Sequence, residues 1–274
     1  MTNKAKALQI DGTELHTVAL PPVFETPFRP DIIRRAYTNL LSHSFQKQGR
    51  YPMAGEMVSA ESRNTGQGIA RLARARGEGF ARAGQAAEVA GVRHGRVPHP
   101  PESWKKIYKK INKKEKRVAL CSAIAATARR DLIENRGHKV ENISGFPIIV
   151  SDDIESIRKT KDLRKTLTAL GLAEELVRAD LSQKSRSGVA RRRHRQARSA
   201  VSVLIVVGND EIIGRLSRSI PGIDVKQVKK LSVLDLSPGS KPVRLTIFSE
   251  NAIKQLNDIK TPPLQTVTEM IHRT

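Results

Sequence analysis

One stretch of about 57 residues, from 47 to 103, has no repeating pattern of apolar residues, and this limits the possible folds most. Nine of the 18 glycines of the chain lie between Gly49 and Gly95. A segment of this composition cannot bury a core of its own, and irregular connections of this length are usually functional or disordered. We therefore predict an extended Gly/Arg-rich internal loop over 46–104, inserted into a globular domain formed by 1–45 and 105–274.

Outside this loop, the sequence alternates between helical and strand patterns. Such alternation predicts an α/β fold with a mostly parallel sheet and flanking helices. The apolar run 201–207 is typical of a strand covered on both faces. Asn112 and Glu115 resemble a capping box, and Gly137 a left-handed helix cap. Further strands are predicted over 5–10, 13–20, 146–150, 233–236 and 243–248, and helices over 30–45, 112–136, 153–159, 161–170, 173–180, 210–218 and 250–258. The tail after Lys260 is predicted to be extended, with a terminal helical turn.

The positive charge is concentrated in two segments. The chain has a formal net charge of +22, of which 46–117 carries +11 and 184–198 carries +7. Within the first segment, 46–104 carries only +4 and 105–117 carries +7. This distribution indicates a nucleic-acid binder that is anchored by two densely charged segments, 105–117 and a basic loop over 182–199. The thinly charged segment 46–104, which precedes both, would reach into the nucleic acid. Neither segment has the apolar face that a membrane-binding helix needs.

The residue types favour structured RNA as the partner. Guanidinium groups bind phosphate through two hydrogen bonds, and small neighbours let a thin backbone approach RNA closely. Aromatic residues make up only 4% of the chain, which disfavours stacking on single strands. The predicted RNA-binding residues are Arg50, Arg63, Gln67, Arg71, Arg74, Arg76, Arg82, Arg93, His94, Arg96, His99, Trp104, Lys105, Lys106, Lys109, Lys110, Lys113, Lys114, Arg186, Arg191, Arg192, Arg193 and Arg195. Trp104 either stacks on a base or closes the base of the loop, and His94 and His99 either contact RNA or are plain loop residues.

We find no pattern typical of catalysis or of a metal or cofactor site. Two Gly-x-Gly pairs at Gly66 and Gly77 lack the strand and helix that a dinucleotide loop requires. Gly208-Asn209-Asp210 follows a predicted strand, where ligands bind in α/β sheets, but a strand-to-helix turn with a helix cap explains it better. Cys121 is the sole cysteine and lies on an apolar helical face, so we expect a buried, unreactive thiol in a soluble intracellular protein.

Several motifs together resemble the L-four family of large-subunit ribosomal proteins, in its archaeal and eukaryotic form. The similarity rests on Ser59-Ala60-Glu61-Ser62 and the Gly/Arg-rich run after it, and on His99-Pro100-Pro101. It continues through Ile111-Asn112-Lys113-Lys114-Glu115-Lys116-Arg117 to Ser122-Ala123-Ile124-Ala125-Ala126-Thr127-Ala128. Val203-Leu204-Ile205-Val206-Val207-Gly208, after the second basic segment, also fits.

This resemblance implies a structural protein, not an enzyme, that binds large-subunit ribosomal RNA early in assembly within the cytoplasmic ribosome. It implies an α/β domain on the outer face of the subunit and an internal loop that reaches the wall of the peptide exit tunnel. Neighbouring ribosomal proteins and the nascent peptide are further implied partners, without a membrane. The matching tip comprises Arg63, Asn64, Thr65, Gly66, Gln67, Gly68 and Arg71, and the returning limb runs over 74–96. Arg63 stands where many family members have an aromatic residue, and 184–198 has fewer glycines than usual.

Two functions from other classes compete with this interpretation. An RNA-modifying enzyme would combine an α/β catalytic body with a basic RNA-gripping loop, and would need a cofactor cleft at 208–210. A DNA-compacting or regulatory protein would use the same positive charge, but binding the phosphates of duplex DNA does not require a long loop that penetrates into the nucleic acid.

Overall fold

A computed structural model describes residues 4–209 and 212–259 and divides the chain into two compact units. The first unit comprises Met1–Leu41 and Lys109–Thr274, and we call it the sheet unit. The second comprises Ser42–Tyr108, and we call it the loop unit.

The secondary structure of the described residues follows the alternating pattern of the sequence. The strands, in chain order, are β1 (Lys4–Leu8), β2 (Glu14–Ala19), β3 (Ala60–Ser62), β4 (Ala73–Ala75), β5 (Ile148–Val150), β6 (Lys184–Ser185), β7 (Ala197–Arg198), β8 (Leu204–Val207), β9 (Asp224–Gln227) and β10 (Thr246–Ser249). The α-helices are α1 (Pro30–Ser42), α2 (Lys113–Ala126), α3 (Arg130–Arg136), α4 (Thr160–Leu167), α5 (Ala173–Leu181), α6 (Gly188–Arg192), α7 (Ile213–Leu216), α8 (Val233–Leu236) and α9 (Glu250–Leu256). A π-helical turn over Thr168–Leu172 joins α4 to α5, and 3₁₀ turns lie at Pro22–Glu25, Asp152–Ser156, Ser217–Ser219, Val228–Lys230 and Pro238–Ser240.

The sheet unit is built on a sheet of six strands among the described residues, in the order β2-β1-β5-β10-β8-β9. β1 and β2 are antiparallel, and all other neighbours are parallel. This arrangement confirms the predicted α/β class with a mostly parallel sheet. β9 was not predicted, because Asp224, Lys226 and Gln227 make this edge strand too polar to form an apolar run.

Alternation along the strands separates two hydrophobic cores. Ile148 and Ile205 face a core that includes residues of α3, α4 and α5. Ile149 and Leu204 face the opposite core, formed with α1, α2, α8 and α9. Cys121 lies in this second core, fully buried, and burial raises the pKa of its thiol to about 11. Its burial confirms the prediction of a buried residue, and the raised pKa keeps the thiol protonated at neutral pH.

Several boundaries differ from the sequence-based prediction. The helix predicted over 112–136 is two helices, and the Asn112 side chain makes no cap hydrogen bond, so the predicted capping box is wrong. Gly137 caps α3 in the left-handed conformation, as predicted, with φ 96°. The strand predicted over 233–236 is helix α8, because Ser232 and Asp235 form a capping box there. The predicted tail after Lys260 lies outside the described residues.

Candidate nucleic-acid interface

The loop unit contains a small sheet that the sequence did not predict. β3 and β4 pair antiparallel, with Glu61 opposite Arg74. The other edge of β4 also has a partner segment, since the Ala75 amide donates to the Gln85 carbonyl at 2.9 Å and the Gly84 amide donates to the Ala75 carbonyl at 3.1 Å. The expectation that 47–103 is irregular throughout is therefore wrong. The expected lack of a large core holds, because Ala75 and Ala87 are the only buried apolar residues in 42–108, all of which the structure describes.

The two limbs of the loop unit contact each other at its base. The Arg50 amide donates to the Pro101 carbonyl at 3.2 Å, and Gly55 has φ +90° with no room for a Cβ beside the Gly95 carbonyl. Trp104 is 66% exposed. Its closure of the loop's base onto the globular domain stays a prediction. Stacking of Trp104 on a nucleic-acid base stays a prediction, favoured by this exposure.

The tip of the loop unit presents its polar groups around a groove. Arg63 and Arg71 are exposed, and among the described residues their guanidinium groups have no ion-pair or hydrogen-bond partner. Gly66 and Gly68 have positive φ and nothing near the position of a Cβ, so another molecule can approach the backbone here. The groove has a volume of about 720 Å³. Its lining includes Glu61, Arg63, Asn64, Gln67, Arg74, Arg76 and Glu78.

Three of the predicted arginines are held by the loop unit itself. Arg76 pairs with Glu61 at 2.9 Å, and Arg74 donates to the Gly84 carbonyl at 3.0 Å. Arg50 donates to the Ala54 carbonyl at 2.9 Å. These contacts fix the side chains beside the backbone, where each guanidinium retains further N–H donors. The remaining cationic and imidazole candidates of this unit are Arg82, which is half-buried, and Arg93, His94, Arg96, His99, Lys105 and Lys106, which are exposed.

Further lysines lie where α2 begins, at Lys109, Lys110, Lys113 and Lys114, and all four are exposed. Lys113 and Lys114 form the start of α2, and Glu115 is the only acidic residue in its first turn. Glu115 forms an ion pair with Arg35, with Nε and Oε1 3.1 Å apart. Cations at a helix N-terminus oppose the helix dipole and cost about 0.3–1 kcal/mol each. Helix stability therefore does not account for Lys113 and Lys114, and their exposure is typical of a surface that binds a polyanion.

The second basic segment is an ordered hairpin rather than the predicted loop. β6 and β7 pair antiparallel with Lys184 opposite Arg198, and α6 lies between the strands. The Ala200 amide donates to Ser182 Oγ at 2.7 Å and closes the base of the hairpin. Like charges opposite each other destabilise a strand pair, so this arrangement also favours an anionic partner. Arg191, Arg192, Arg193 and Arg195 are exposed, and Arg186 is half-buried.

The crevice where an enzyme of this fold would bind a ligand is filled by the chain itself. The Glu155 carboxylate accepts hydrogen bonds from the Gly208 amide at 2.8 Å, the Asn209 amide at 3.3 Å and Ser249 Oγ at 2.7 Å. A Cβ on Gly208 would lie 2.3 Å from Asn251 Nδ2. The cofactor cleft required by the enzyme hypothesis is therefore occupied at 208–209, while Asp210 lies outside the described residues.

A buried carboxylate that the sequence did not reveal organises one side of the sheet unit. Glu175 accepts from Arg178 Nη2 at 2.6 Å, His138 Nδ1 at 2.8 Å, Ser202 Oγ at 2.8 Å and the Lys139 amide at 3.0 Å. Burial would raise the pKa of Glu175, but the hydrogen bonds from Arg178, His138 and Lys139 outweigh it and lower the pKa to about 2. The carboxylate is therefore ionised at neutral pH and holds Arg178 in place.

Neither metal binding nor membrane spanning has support in the part of the chain that the structure describes. No three His, Cys, Asp or Glu side chains are placed there to hold a metal ion. No helix among residues 4–209 and 212–259 has the length and apolar character needed to cross a membrane.

Comparison with known proteins gives consistent matches over most of the chain. The profile of the "Ribosomal protein L4/L1 family" matches residues 18–259, a range that includes the whole loop unit. "Large ribosomal subunit protein uL4" of Methanococcus aeolicus is 41% identical over 254 residues, covering 93% of this chain and 98% of the relative. The proteins of the same name from Methanopyrus kandleri and Pyrobaculum aerophilum are 38% and 41% identical, each covering 93% of this chain, and 98% and 90% of the relative.

Proposed function

The chain belongs to the ribosomal protein L4/L1 family, and we propose that it is a structural constituent of the large ribosomal subunit that binds ribosomal RNA. The observation that carries this proposal is the match over 18–259, which spans both units and all the predicted RNA-binding residues. The relatives are named as ribosomal subunit proteins, not as enzymes. This supports the ribosomal function over the RNA-modifying enzyme.

The charged surfaces give each part of the chain a role in RNA binding. The lysines at and before the start of α2 and the arginines of the β6–β7 hairpin are mostly exposed, so they anchor the chain to phosphates. Arg63 and Arg71 flank a glycine-containing tip that can approach RNA closely. The loop unit threads into RNA, and its tip, 63–71, lines the peptide exit tunnel and meets the nascent peptide. Neighbouring large-subunit proteins complete the set of partners, in the ribosome of the cytoplasm.

RNA binding is tested with the purified chain and transcripts of large- and small-subunit ribosomal RNA. We expect tighter binding to the large-subunit transcript, with an affinity that falls linearly on a log–log plot against salt concentration. Equal affinity for both transcripts, or a flat salt response, would contradict the proposal.

The place of the tip is tested with a single thiol. Because Cys121 is the only cysteine and is buried, Asn64→Cys would place the only accessible thiol at the tip. In translating ribosomes assembled with this variant, a thiol-specific cross-linker should join the tip to the nascent chain. A Gln183→Cys variant, which places the thiol beside the basic hairpin, serves as the control and should give no such product. Equal cross-linking from both positions would contradict a tunnel location of the tip.

A further inference from the structure

A cleft in the sheet unit collects cationic groups that the sequence distributes over three distant segments. Its lining includes Arg136 at the end of α3, Arg178 on α5 and Lys241 after the 3₁₀ turn Pro238–Ser240. The cleft has a volume of about 360 Å³, sufficient for a phosphate group with its hydration. None of these three residues belongs to the basic segments 46–117 and 184–198.

Two of the three cations in this cleft have no negatively charged partner among residues 4–209 and 212–259. Arg178 is neutralised by Glu175, with Nη2 and Oε1 2.6 Å apart. Arg136 instead donates to the Lys241 carbonyl and, at 2.7 Å, to the Pro238 carbonyl. Among the described residues, neither Arg136 nor Lys241 has a carboxylate within ion-pair distance. The cleft therefore retains an excess of about two positive charges.

The cationic side chains are close enough to repel one another. Burial lowers the pKa of Arg136, and the charges of Arg244 and Arg178 lower it further. Arg244 is itself paired with Asp224 at 2.6 Å, and Glu175 neutralises Arg178, so Arg136 is the uncompensated member of this group. An anion in the cleft would relieve this repulsion, because an opposite charge favours the protonated guanidinium.

The cleft is continuous with the basic hairpin that we assign to RNA binding. Arg178 Nη2 donates to the Val201 carbonyl at 3.1 Å, and Val201 also lines the cleft. Val201 follows Ala200, which is bonded to Ser182 at the base of the hairpin. An RNA strand bound along the hairpin therefore has a second cationic position at the point where the hairpin joins the sheet.

From these observations we propose that the cleft between Arg136, Arg178 and Lys241 binds a backbone phosphate of the same RNA. Lys241 supplies a mobile ammonium group, and Arg136 and Arg178 supply positioned guanidinium donors that their carbonyl and carboxylate contacts hold in place. This inference rests on the proposed function, because ribosomal RNA supplies the phosphate.

The test measures RNA affinity over a series of salt concentrations for the full chain and its variants. Lys241→Ala should weaken binding to a large-subunit transcript roughly two- to fivefold, as expected for one exposed ion pair. It should also reduce the slope of log affinity against log salt by about one. Lys241→Arg should keep both values, and Lys241→Glu should weaken binding further. Because Lys241 is exposed, these variants are expected to fold.

The matched control is Lys254→Ala. Lys254 is also exposed and lies on α9, which packs on the face of the sheet opposite to α3 and α5. We expect this variant to retain the wild-type salt slope. If wild-type protein binds the transcript and Lys241→Ala keeps its full slope, the cleft proposal is overturned while the proposed function stands. If wild-type protein does not bind the transcript, the proposed function itself fails.

A second arm separates a backbone phosphate from free phosphate or a protein carboxylate. Inorganic phosphate is titrated into the labelled full chain, and amide shifts of Gly137 and Gly239 beside the cleft are followed by NMR. Weak, saturable shifts that RNA abolishes by competition would support the proposal. Shifts that persist unchanged with RNA bound would overturn it, as they would show a site for free phosphate. Shifts produced by acetate but not by phosphate would also overturn it, because they would indicate a carboxylate partner.

Discussion

Replacing Glu175 with Gln should destabilise the sheet unit by an amount that depends on pH. The hydrogen bonds to Glu175 lower its pKa from 4.5 to about 2. At 1.36 kcal/mol per pKa unit, this shift contributes about 3 kcal/mol to the free energy of unfolding at pH 7. Gln resembles the protonated acid in shape and charge, so Glu175→Gln should lose that contribution.

The sign of the pH dependence follows from the direction of the shift. A carboxylate with a lowered pKa in the folded state stabilises the fold above its unfolded pKa, and this stabilisation disappears as pH falls towards the folded pKa. The difference between wild type and Glu175→Gln should therefore shrink from about 3 kcal/mol at pH 7 to about 1 kcal/mol at pH 3. Urea unfolding, followed by circular dichroism at several pH values, measures this difference in the free energy of unfolding.

The control for this experiment is Glu174→Gln, the exposed neighbour on the same helix. It removes the same charge and should change the unfolding free energy by less than about 1 kcal/mol at every pH. A difference between wild type and Glu175→Gln that stayed constant from pH 7 to pH 3 would refute the reasoning. Loss of packing or of a neutral hydrogen bond has no such pH dependence.

Three further predictions concern the loop unit. Deleting 55–95 removes only two buried apolar residues, Ala75 and Ala87, so the unfolding free energy of the sheet unit should change by less than about 2 kcal/mol. Loss of cooperative thermal unfolding in the deletion variant would show that the sheet unit depends on this segment. Trp104 is the only tryptophan and is exposed, so binding of RNA should quench its intrinsic fluorescence. Trp104→Leu should reduce the free energy of RNA binding by about 1–3 kcal/mol. Unchanged fluorescence on RNA binding would count against stacking of Trp104 on a base. Gly55→Ala would place a Cβ 2.6 Å from the Gly95 carbonyl oxygen, so hydrogen exchange of the Arg50 amide, which donates to Pro101, should accelerate. Gly66→Ala, at a residue with a similar φ but open space around it, should leave the exchange rate of the Arg50 amide unchanged. Equal exchange rates in both variants would show that the contact between the two limbs does not depend on the close packing of Gly55 and Gly95.

The fold was predictable where a single pattern decided it. Val206 and its neighbours form a continuous apolar run rich in β-branched residues, and such a run favours a strand covered on both faces. The 233–236 segment has Val and two Leu among its four residues, but the capping groups of Ser232 and Asp235 make it a helix. Four residues are too few for periodicity to distinguish the two structures, so local capping decides.

The candidate site was predictable only where charge is dense in sequence. The arginines over 191–195 are close together in the chain, and so many like charges cannot be buried together, so their exposure was predictable. Arg136, Arg178 and Lys241 are each unremarkable in sequence, because the cleft is created by the packing of three separate segments. Glu175 was missed for the same reason, since its donors include His138 and Ser202, which are distant in sequence.

The pairing of β1 with β5 determines how long one edge of β1 stays unpaired during synthesis. Leu8 lies opposite Val150, 142 residues later in the chain. At typical elongation rates of about 5–20 residues per second, β5 is synthesised roughly 7 to 30 seconds after β1. The loop unit, 42–108, is synthesised entirely within that interval. The basic segment 105–117 is also made before β5, so RNA can meet these cations while the edge of β1 is still unpaired.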